Sequence, residues 1–196
     1  MNALEFPTGV AENEVNWGKI EPTDHIAHFY DDEASFLRML EGFVAEGLLA
    51  GESVIVLTTV AHMFALNGRL EARRIDLRKA RRSDQYLDLN AESFLATFMV
   101  GGQPDPQKFN EAVSALLNRA RASGRKVRAF GEMVAILWGK GQSDATVRLE
   151  SLWNQLREKN PFPLFCAYPK AGFTEGTQES LNEICAAHTK VISNRS

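Results

Sequence analysis

The sequence lacks the features that define several specialised classes of protein. It has two cysteines, Cys166 and Cys185, both in apolar stretches, which is too few for a disulfide-stapled secreted chain. No run approaches the roughly 18 apolar residues that span a membrane. Residues 1–20 have neither the basic start nor the apolar core of a signal peptide. We therefore expect a reduced, cytoplasmic protein with no membrane segment.

An excess of positive charge is also absent. The formal net charge is −3, so the chain has no basic footprint with which to displace counterions from phosphates. We expect no direct binding of nucleic acid. The local exception is the segment 69–82, which is dense in arginine. Such a run is typical of a solvated surface, and an acidic surface on a partner protein is the alternative.

The glycine motifs of dinucleotide-binding α/β proteins and of α/β-hydrolases are missing as well. The chain contains no GxGxxG and no GxSxG, and the turn after its first predicted strand reads Tyr30-Asp31-Asp32-Glu33, without glycine or lysine. Carboxylates there stabilise the N-terminus of the next helix and would repel a phosphate. Gly139-Lys140-Gly141 joins two predicted helices and follows no strand. This pattern argues against phosphate-first nucleotide binding.

What the chain does have is a regular alternation of apolar runs and helical periodicity. Apolar runs predict strands at 25–30, 53–58, 85–89, 126–130 and 162–168, with a closing strand at 191–192. The run 53–58 is nearly continuous and rich in β-branched residues, which fits a strand buried on both faces. Stretches with helical periodicity between the strands predict helices. The first follows the 25–30 strand and ends at about residue 49, and the others span 61–72, 92–100, 106–123, 132–138, 144–159 and 177–188. We place the end of the 92–100 helix at Gly101-Gly102.

This alternation predicts the fold class. We expect an α/β, three-layer sandwich with a mostly parallel central sheet. The sequence shows no repeat, low-complexity tract or linker. It therefore predicts a flexible N-terminal arm over residues 1–20 and a single domain over residues 21–196.

Two segments carry candidate pocket residues. Glu132 follows a buried strand, and a carboxylate at that position points into the crevice where α/β sheets bind ligands; a plain carboxylate at a helix N-terminus is the alternative. Glu150 and Asn154 lie four residues apart on one helix face, beside Trp153. They would line a cavity if that face points inward, or form a solvated edge if it does not.

A metal site is considered and not predicted. His25 and His28 are three residues apart on a strand and so face opposite sides of the sheet. Cys185 and His188 share a helix face, and Cys166 could join them, but the clustered spacings of known zinc sites are absent. We therefore expect buried, structural cysteines, no metal and no cofactor.

An ordered set of motifs along the chain resembles one family. The segments are His25-x-x-His28-Phe29-Tyr30, Phe43-Val44-x-x-Gly47-Leu48-x-x-Gly51-Glu52, Phe130-Gly131-Glu132-Met133-Val134-x-x-Leu137-Trp138, Leu149-Glu150-x-x-Trp153-Asn154, Phe165-Cys166-Ala167-Tyr168-Pro169 and Ile184-Cys185-x-x-His188. Together they resemble the MEDS family, the methanogen/methylotroph DcmR-type sensory domain. The resemblance covers most of the chain, from residue 25 to residue 192.

The resemblance implies a fold and a role. The fold would be related to the RecA/KaiC-like core with its phosphate-binding loop lost, and the family is thought to sense small molecules, with hydrocarbon derivatives suggested as ligands. Such domains usually sit beside histidine-kinase or DNA-binding modules, and we find neither in this sequence. Carried over by position, the ligand-binding residues would be His25, Tyr30, Glu132, Glu150, Asn154, Tyr168 and His188, with Trp138 and Trp153 as apolar walls.

The sequence thus predicts a small-molecule-binding sensory domain in bacterial or archaeal signal transduction or transcription regulation, and not an enzyme. Its output would pass through a partner protein, such as a histidine kinase or regulator, or through its own dimer. Two alternatives stay open: a degenerate RecA-like nucleotide-binding or ATPase-like protein, and a protein–protein adaptor acting through the basic segment 69–82.

Overall fold

A six-stranded sheet forms the centre of the protein. The computed structural model describes Phe6 and residues 9–193. The strands of the described part are β1 (His25–Tyr30), β2 (Ser53–Thr58), β3 (Tyr86–Asn90), β4 (Met99–Val100), β5 (Gln103–Pro104), β6 (Val127–Gly131), β7 (Leu164–Pro169) and β8 (Lys190–Ser193). The main sheet has the order β3-β2-β6-β7-β1-β8, and the pairings described within it are parallel. The predicted α/β class and mostly parallel sheet are confirmed.

Helices cover both faces of this sheet. They are α1 (Glu33–Leu49), α2 (Val60–Ala72), α3 (Leu77–Arg82), α4 (Ala91–Ala96), α5 (Pro106–Arg121), α6 (Met133–Gly139), α7 (Ser143–Lys159) and α8 (Gln178–Ala187). The buried residues of α1–α3 form one core on one face, and those of α4–α8 form a second core on the other. The result is the predicted three-layer sandwich.

Side chains of each strand alternate between these two cores, as the pleat of a strand requires. On β1, Ala27 and Phe29 enter the core beneath α4–α8, whereas Ile26 enters the core beneath α1–α3. His25 therefore faces the α4–α8 side, and His28 faces the other. This parity decides which histidines can meet.

Local sequence signals explain where several helices begin. Asp32 accepts a hydrogen bond from the backbone N–H of Ser35 at 2.7 Å, and Asp105 accepts one from Lys108 at 2.9 Å. Each carboxylate satisfies a donor that would otherwise lack a partner in the first helical turn. Pro106 follows Asp105 at the first helical position, where a missing N–H costs nothing.

The predicted helix over residues 92–100 is wrong at its second half. α4 ends at Ala96, and β4 pairs in antiparallel fashion with β5. Gly101 and Gly102 form the turn between them, with φ of 57° and 81°. Two successive residues with positive φ are the requirement of a tight hairpin turn, which the sequence interpretation took for a helix stop.

The short helix α3 was missed. It lies within the basic segment, where Leu77 and Ala80 are its buried apolar residues, and Asp76 caps it through the N–H of Lys79 at 2.8 Å. Part of the positive charge of that segment is paired: Arg69 lies 2.7 Å from Glu41, and Arg81 is bonded to Asp88. This pairing agrees with a solvated surface.

Residues at the amino end lie against the sheet and α1. Of the predicted arm, residues 1–5, 7 and 8 lie outside the described part of the chain. Val10 forms a parallel bridge with Ile192, and Trp17 is buried in the core beneath α1–α3. The division into arm and domain stays a prediction, and the contacts of Trp17 give a way to test it. In the described residues, no helix combines the length and apolarity needed to cross a membrane.

Candidate functional site

The strand order creates a topological switch point at the carboxyl ends of β2 and β6. β2 and β6 are neighbours, yet the helix after β2 packs on one face of the sheet and the helix after β6 packs on the other. When the connections after two neighbouring parallel strands run to opposite faces of the sheet, a gap forms between them at the carboxyl ends of the strands. In open α/β sheets, this gap is the usual place for a ligand. We call this place the Glu132 crevice, formed by Tyr30, Thr58, His62 and Glu132.

Glu132 ties the two sides of this crevice together. The hydroxyl of Thr58 and the backbone N–H of Thr59, at 2.9 Å, both donate to one of its carboxylate oxygens. The other oxygen lies 2.7 Å from Nδ1 of His62, in the first turn of α2. A single carboxylate thus links the end of β6 to the end of β2 and the start of α2.

His62 is the most accessible ionisable member of the crevice, with 19% of its side chain exposed. Its hydrogen bond to Glu132 raises its pKa, against a lowering by burial, and the charges of Glu132 and Glu33 add to the rise. Nε2 of His62 lies 3.7 Å from Glu33. The imidazole of His62 therefore lies between the carboxylates of Glu132 and Glu33, which favour its protonated form.

Aromatic rings form one wall of the crevice. The ring of Phe36 lies 4.9 Å from that of His62 and is stacked on Tyr30 at 5.0 Å. Burial raises the pKa of Tyr30 to about 12, and the charge of Glu132 adds to this. Tyr30 is thus a neutral phenol at physiological pH, able to donate a hydrogen bond beside an apolar ring.

A second group of polar side chains is buried on the other face of the sheet. His25 from β1, Glu150 from α7, Cys166 from β7 and His188 after α8 bring their ligand atoms within 4.8 Å of one another. We call these four residues the buried His–Glu–Cys cluster. Its two imidazole rings lie 4.0 Å apart. The cluster is built from four different elements, so the fold alone creates it.

The carboxylate of Glu150 is the centre of this cluster. The hydroxyl of Tyr168 donates to its Oε1 atom, while Nε2 of His25 lies 3.3 Å from Oε2. Burial favours the protonated acid, yet the surrounding histidines and the Tyr168 hydrogen bond lower the pKa of Glu150. Burial lowers the pKa of His188 to about 4.

The nine predicted ligand-binding residues fall into three groups in the structure: the buried cluster, the Glu132 crevice and the apolar core. His25, Glu150, Tyr168 and His188 meet directly, and Asn154 touches them through a 2.9 Å contact with His25. Tyr30 and Glu132 lie in the crevice instead. The two tryptophans are core residues: Trp138 donates to the carbonyl of Gly172 at 2.9 Å, and Trp153 packs edge-on against Phe109. His28 points away from His25, toward Glu12 at 2.9 Å.

Sequence reasoning missed two members of the Glu132 crevice. His62 and Thr58 were not considered, although both lie at the carboxyl end of a predicted strand or in the first turn after it. That position was the available signal. Cys166 was weighed with Cys185 and His188 as a zinc site, but a structural role was preferred. In the described residues, the companions of Cys166 are His25, Glu150 and His188.

Comparison with family models identifies the family of the chain. A family model described as the methanogen/methylotroph, DcmR sensory domain matches residues 24–189. That stretch holds both the Glu132 crevice and the buried His–Glu–Cys cluster, and it leaves the segment around Trp17 outside. No curated protein matches the chain.

Proposed function

The chain belongs to the MEDS family of sensory domains, and from this premise we propose that it senses a small organic molecule at the Glu132 crevice. The observation that carries the proposal is the position of Glu132. It lies at the switch between β2 and β6, where its carboxylate bonds to the start of the helix that follows the neighbouring strand. A ligand that competes for Glu132 or His62 would therefore act on α2.

Charge at the crevice favours a particular chemistry. Asp31, Asp32, Glu33 and Glu132 put negative charge near the carboxyl ends of β1 and β6. A phosphate would be repelled there, and Asp32 already occupies the N-terminus of α1. The ligand that fits is a small neutral or cationic organic molecule, hydrocarbon derivatives included. Tyr30 and His62 would supply hydrogen bonds, and Phe36 an apolar contact.

The proposed signal is a shift between two arrangements of α2. A ligand moves such an equilibrium only by as much as it binds one arrangement better than the other. Ligand bonding to Glu132 would release Thr59 and His62, which hold the start of α2 in the described arrangement. We propose that this change is read by a partner protein, such as a histidine kinase or a regulator, or by a second copy of the chain. The domain itself would not act as an enzyme.

A degenerate nucleotide-binding role is the second candidate. It is favoured by one observation: an acidic residue lies at a sheet edge where α/β proteins bind ligands. Against it, the oxygens of Glu132 already accept hydrogen bonds from Thr58, Thr59 and His62. The same binding screen separates the two candidates.

The test is a thermal-shift screen of the purified chain against small organic molecules, with Mg²⁺-ATP included. A ligand that binds the native state adds about 2.7 kcal/mol of stability at a hundred times its Kd. We expect a shift with an organic molecule that is lost in the Glu132→Gln variant and kept in Glu158→Gln. Glu158 is exposed on α7 and serves as the matched control.

The outcomes are distinct. A shift that persists in Glu132→Gln would place the ligand away from the crevice. A shift with Mg²⁺-ATP and with none of the organic molecules would overturn the sensor proposal in favour of nucleotide binding. Each variant is compared with its own ligand-free Tm, because removing the charge of Glu132 also changes the stability of the fold.

A further inference from the structure

We propose that the buried His–Glu–Cys cluster, formed by His25, Glu150, Cys166 and His188, is a binding site for a divalent metal ion of the Zn²⁺ class. The proposal is independent of the Glu132 crevice. It departs from the sequence-based expectation of no metal. Its basis is the chemistry of the four side chains and the direction in which their lone pairs point.

Distances within the cluster match a tetrahedral site. Bonds of about 2.0 Å to nitrogen or oxygen and about 2.3 Å to sulfur place tetrahedral ligand atoms roughly 3.3–3.8 Å apart. Nε2 of His25 lies 3.3 Å from Glu150 and 3.6 Å from Sγ of Cys166. Nε2 of His188 lies 3.4 Å from Glu150. A small contraction of the widest pair, from at most 4.8 Å, would close the site.

Hydrogen bonds fix the two imidazoles in the tautomer that a metal requires. Nδ1 of His188 lies 2.6 Å from the carbonyl oxygen of Ile184, and Nδ1 of His25 lies 3.0 Å from that of Ala187. A carbonyl oxygen only accepts, so both Nδ1 atoms carry the proton. Both Nε2 atoms then present lone pairs to the cluster. Donation of the second ring N–H to a backbone carbonyl is typical of metal-binding histidines.

The Nε2 lone pair of His188 accepts no hydrogen bond within the described residues. Nε2 is completely buried, and its nearest charged neighbour is an oxygen of Glu150. A lone pair facing a carboxylate oxygen in a dry core is unfavourable unless a proton or a cation lies between them. A cation satisfies both groups.

Charge within the cluster balances for a divalent ion. Two neutral imidazoles, the Glu150 carboxylate and a Cys166 thiolate sum to −2, which a divalent cation neutralises. Without a metal, a cysteine with an ordinary thiol carries its proton at neutral pH. Binding therefore forms a metal–sulfur bond, breaks the S–H bond and releases one proton to solvent.

The donor set and its burial indicate the class of ion and its role. Imidazole, thiolate and carboxylate together suit Zn²⁺, and the four protein ligands leave no coordination position open. The Tyr168 hydroxyl binds one oxygen of Glu150 and orients the carboxylate. Ligands come from β1, α7, β7 and the end of α8. The ion would therefore clamp four elements together and have a structural role.

The experiment begins with the metal content of the full chain, expressed and refolded with Zn²⁺ or Co²⁺ because the site is buried. We expect one ion per chain, and for Co²⁺ the visible absorption of a tetrahedral site with a thiolate-to-cobalt charge-transfer band. Cys166→Ser should remove that band and lower metal affinity at least about tenfold. The matched control, Cys185→Ser, changes the cysteine outside the cluster and should keep both.

Wild-type measurements decide the proposal even where a variant fails to fold. Zn²⁺ titration at constant pH should release about one proton per ion, and removal of the ion with a chelator should lower Tm. Folded wild-type protein that takes up under a tenth of an equivalent of either metal would overturn the proposal. So would a cobalt spectrum that Cys185→Ser abolishes and Cys166→Ser leaves intact.

Discussion

Replacement of Trp17 by alanine tests whether the amino-terminal segment belongs to the folded core. Trp17 is 7% exposed. Its ring packs edge-on against Phe43 at 5.3 Å and in a tilted arrangement against Phe165 at 5.1 Å. Gly42 lies beneath the ring, where a Cβ would come within 2.7 Å of the indole. Yet residues 1–20 were predicted from the sequence to be a flexible arm, and the family match begins after them.

The size of the effect follows from the area that the indole buries. A buried tryptophan removes about 150–250 Å² from water. At about 25 cal/mol per Å², this is worth roughly 4–6 kcal/mol as an upper estimate. Truncations of buried tryptophan cost about 3–5 kcal/mol. We therefore expect Trp17→Ala to lower the free energy of unfolding by about 3–5 kcal/mol.

Urea denaturation followed by far-UV circular dichroism measures this loss. With an m-value of about 2 kcal/mol/M, the midpoint should fall by about 1.5–2.5 M while m stays constant. Phe64→Ala is the control, because Phe64 is a large apolar residue that is 83% exposed, and it should change stability by less than about 0.5 kcal/mol. A Trp17→Ala effect as small as the control would show that the segment is loose.

Three further predictions concern other parts of the fold. Arg128→Met should cost about 2–4 kcal/mol in urea denaturation, because it leaves the partly buried Glu52 without its partner and the carbonyl oxygen of Phe43 without this donor. A cost under about 1 kcal/mol would contradict this. Gly47→Ala should cost about 1–3 kcal/mol, because its Cβ would lie 2.7 Å from Arg128, whereas Gly68→Ala, with open space around it, should not destabilise. The raised pKa of His62 means that its stabilisation is full below about pH 6.5 and declines as the pH rises through its folded pKa. The stability difference between wild type and His62→Gln should therefore be larger at about pH 6 than at about pH 9, and a difference independent of pH would refute the pairing.

Local signals were enough to predict most of the fold. Asp32 and Asp105 cap helices as their side-chain chemistry dictates, and the β-branched run of β2 forms a strand buried on both faces. Where two signals competed, the prediction failed. Gly101-Gly102 ends a helix or turns a hairpin equally well in sequence, and only the pairing of β4 with β5 decides between them.

The sequence predicted one side of the Glu132 crevice and missed the other. Glu132 follows a strand directly, so the rule for parallel sheets found it. His62 escaped because it lies in the first turn of a helix after a different strand, and the link between the two residues depends on β2 and β6 being neighbours. Strand order is a property of the whole chain, since β2 and β6 are separated by β3, the β4–β5 hairpin and α2–α5.

The buried cluster lies beyond the reach of spacing arguments for the same reason. Known zinc motifs place ligands in pairs a few residues apart, and here the ligands are at positions 25, 150, 166 and 188. What sequence could have supplied is parity. His25 shares a face with Ala27 on β1, Cys166 shares one with Tyr168 on β7, and β1 pairs with β7 in parallel with Ala27 opposite Cys166. His25 and Cys166 thus lie on the same face of adjacent strands, and Glu150 on the helix packed over that face joins them. The parity could be predicted from the sequence, whereas the pairing of β1 with β7 could not.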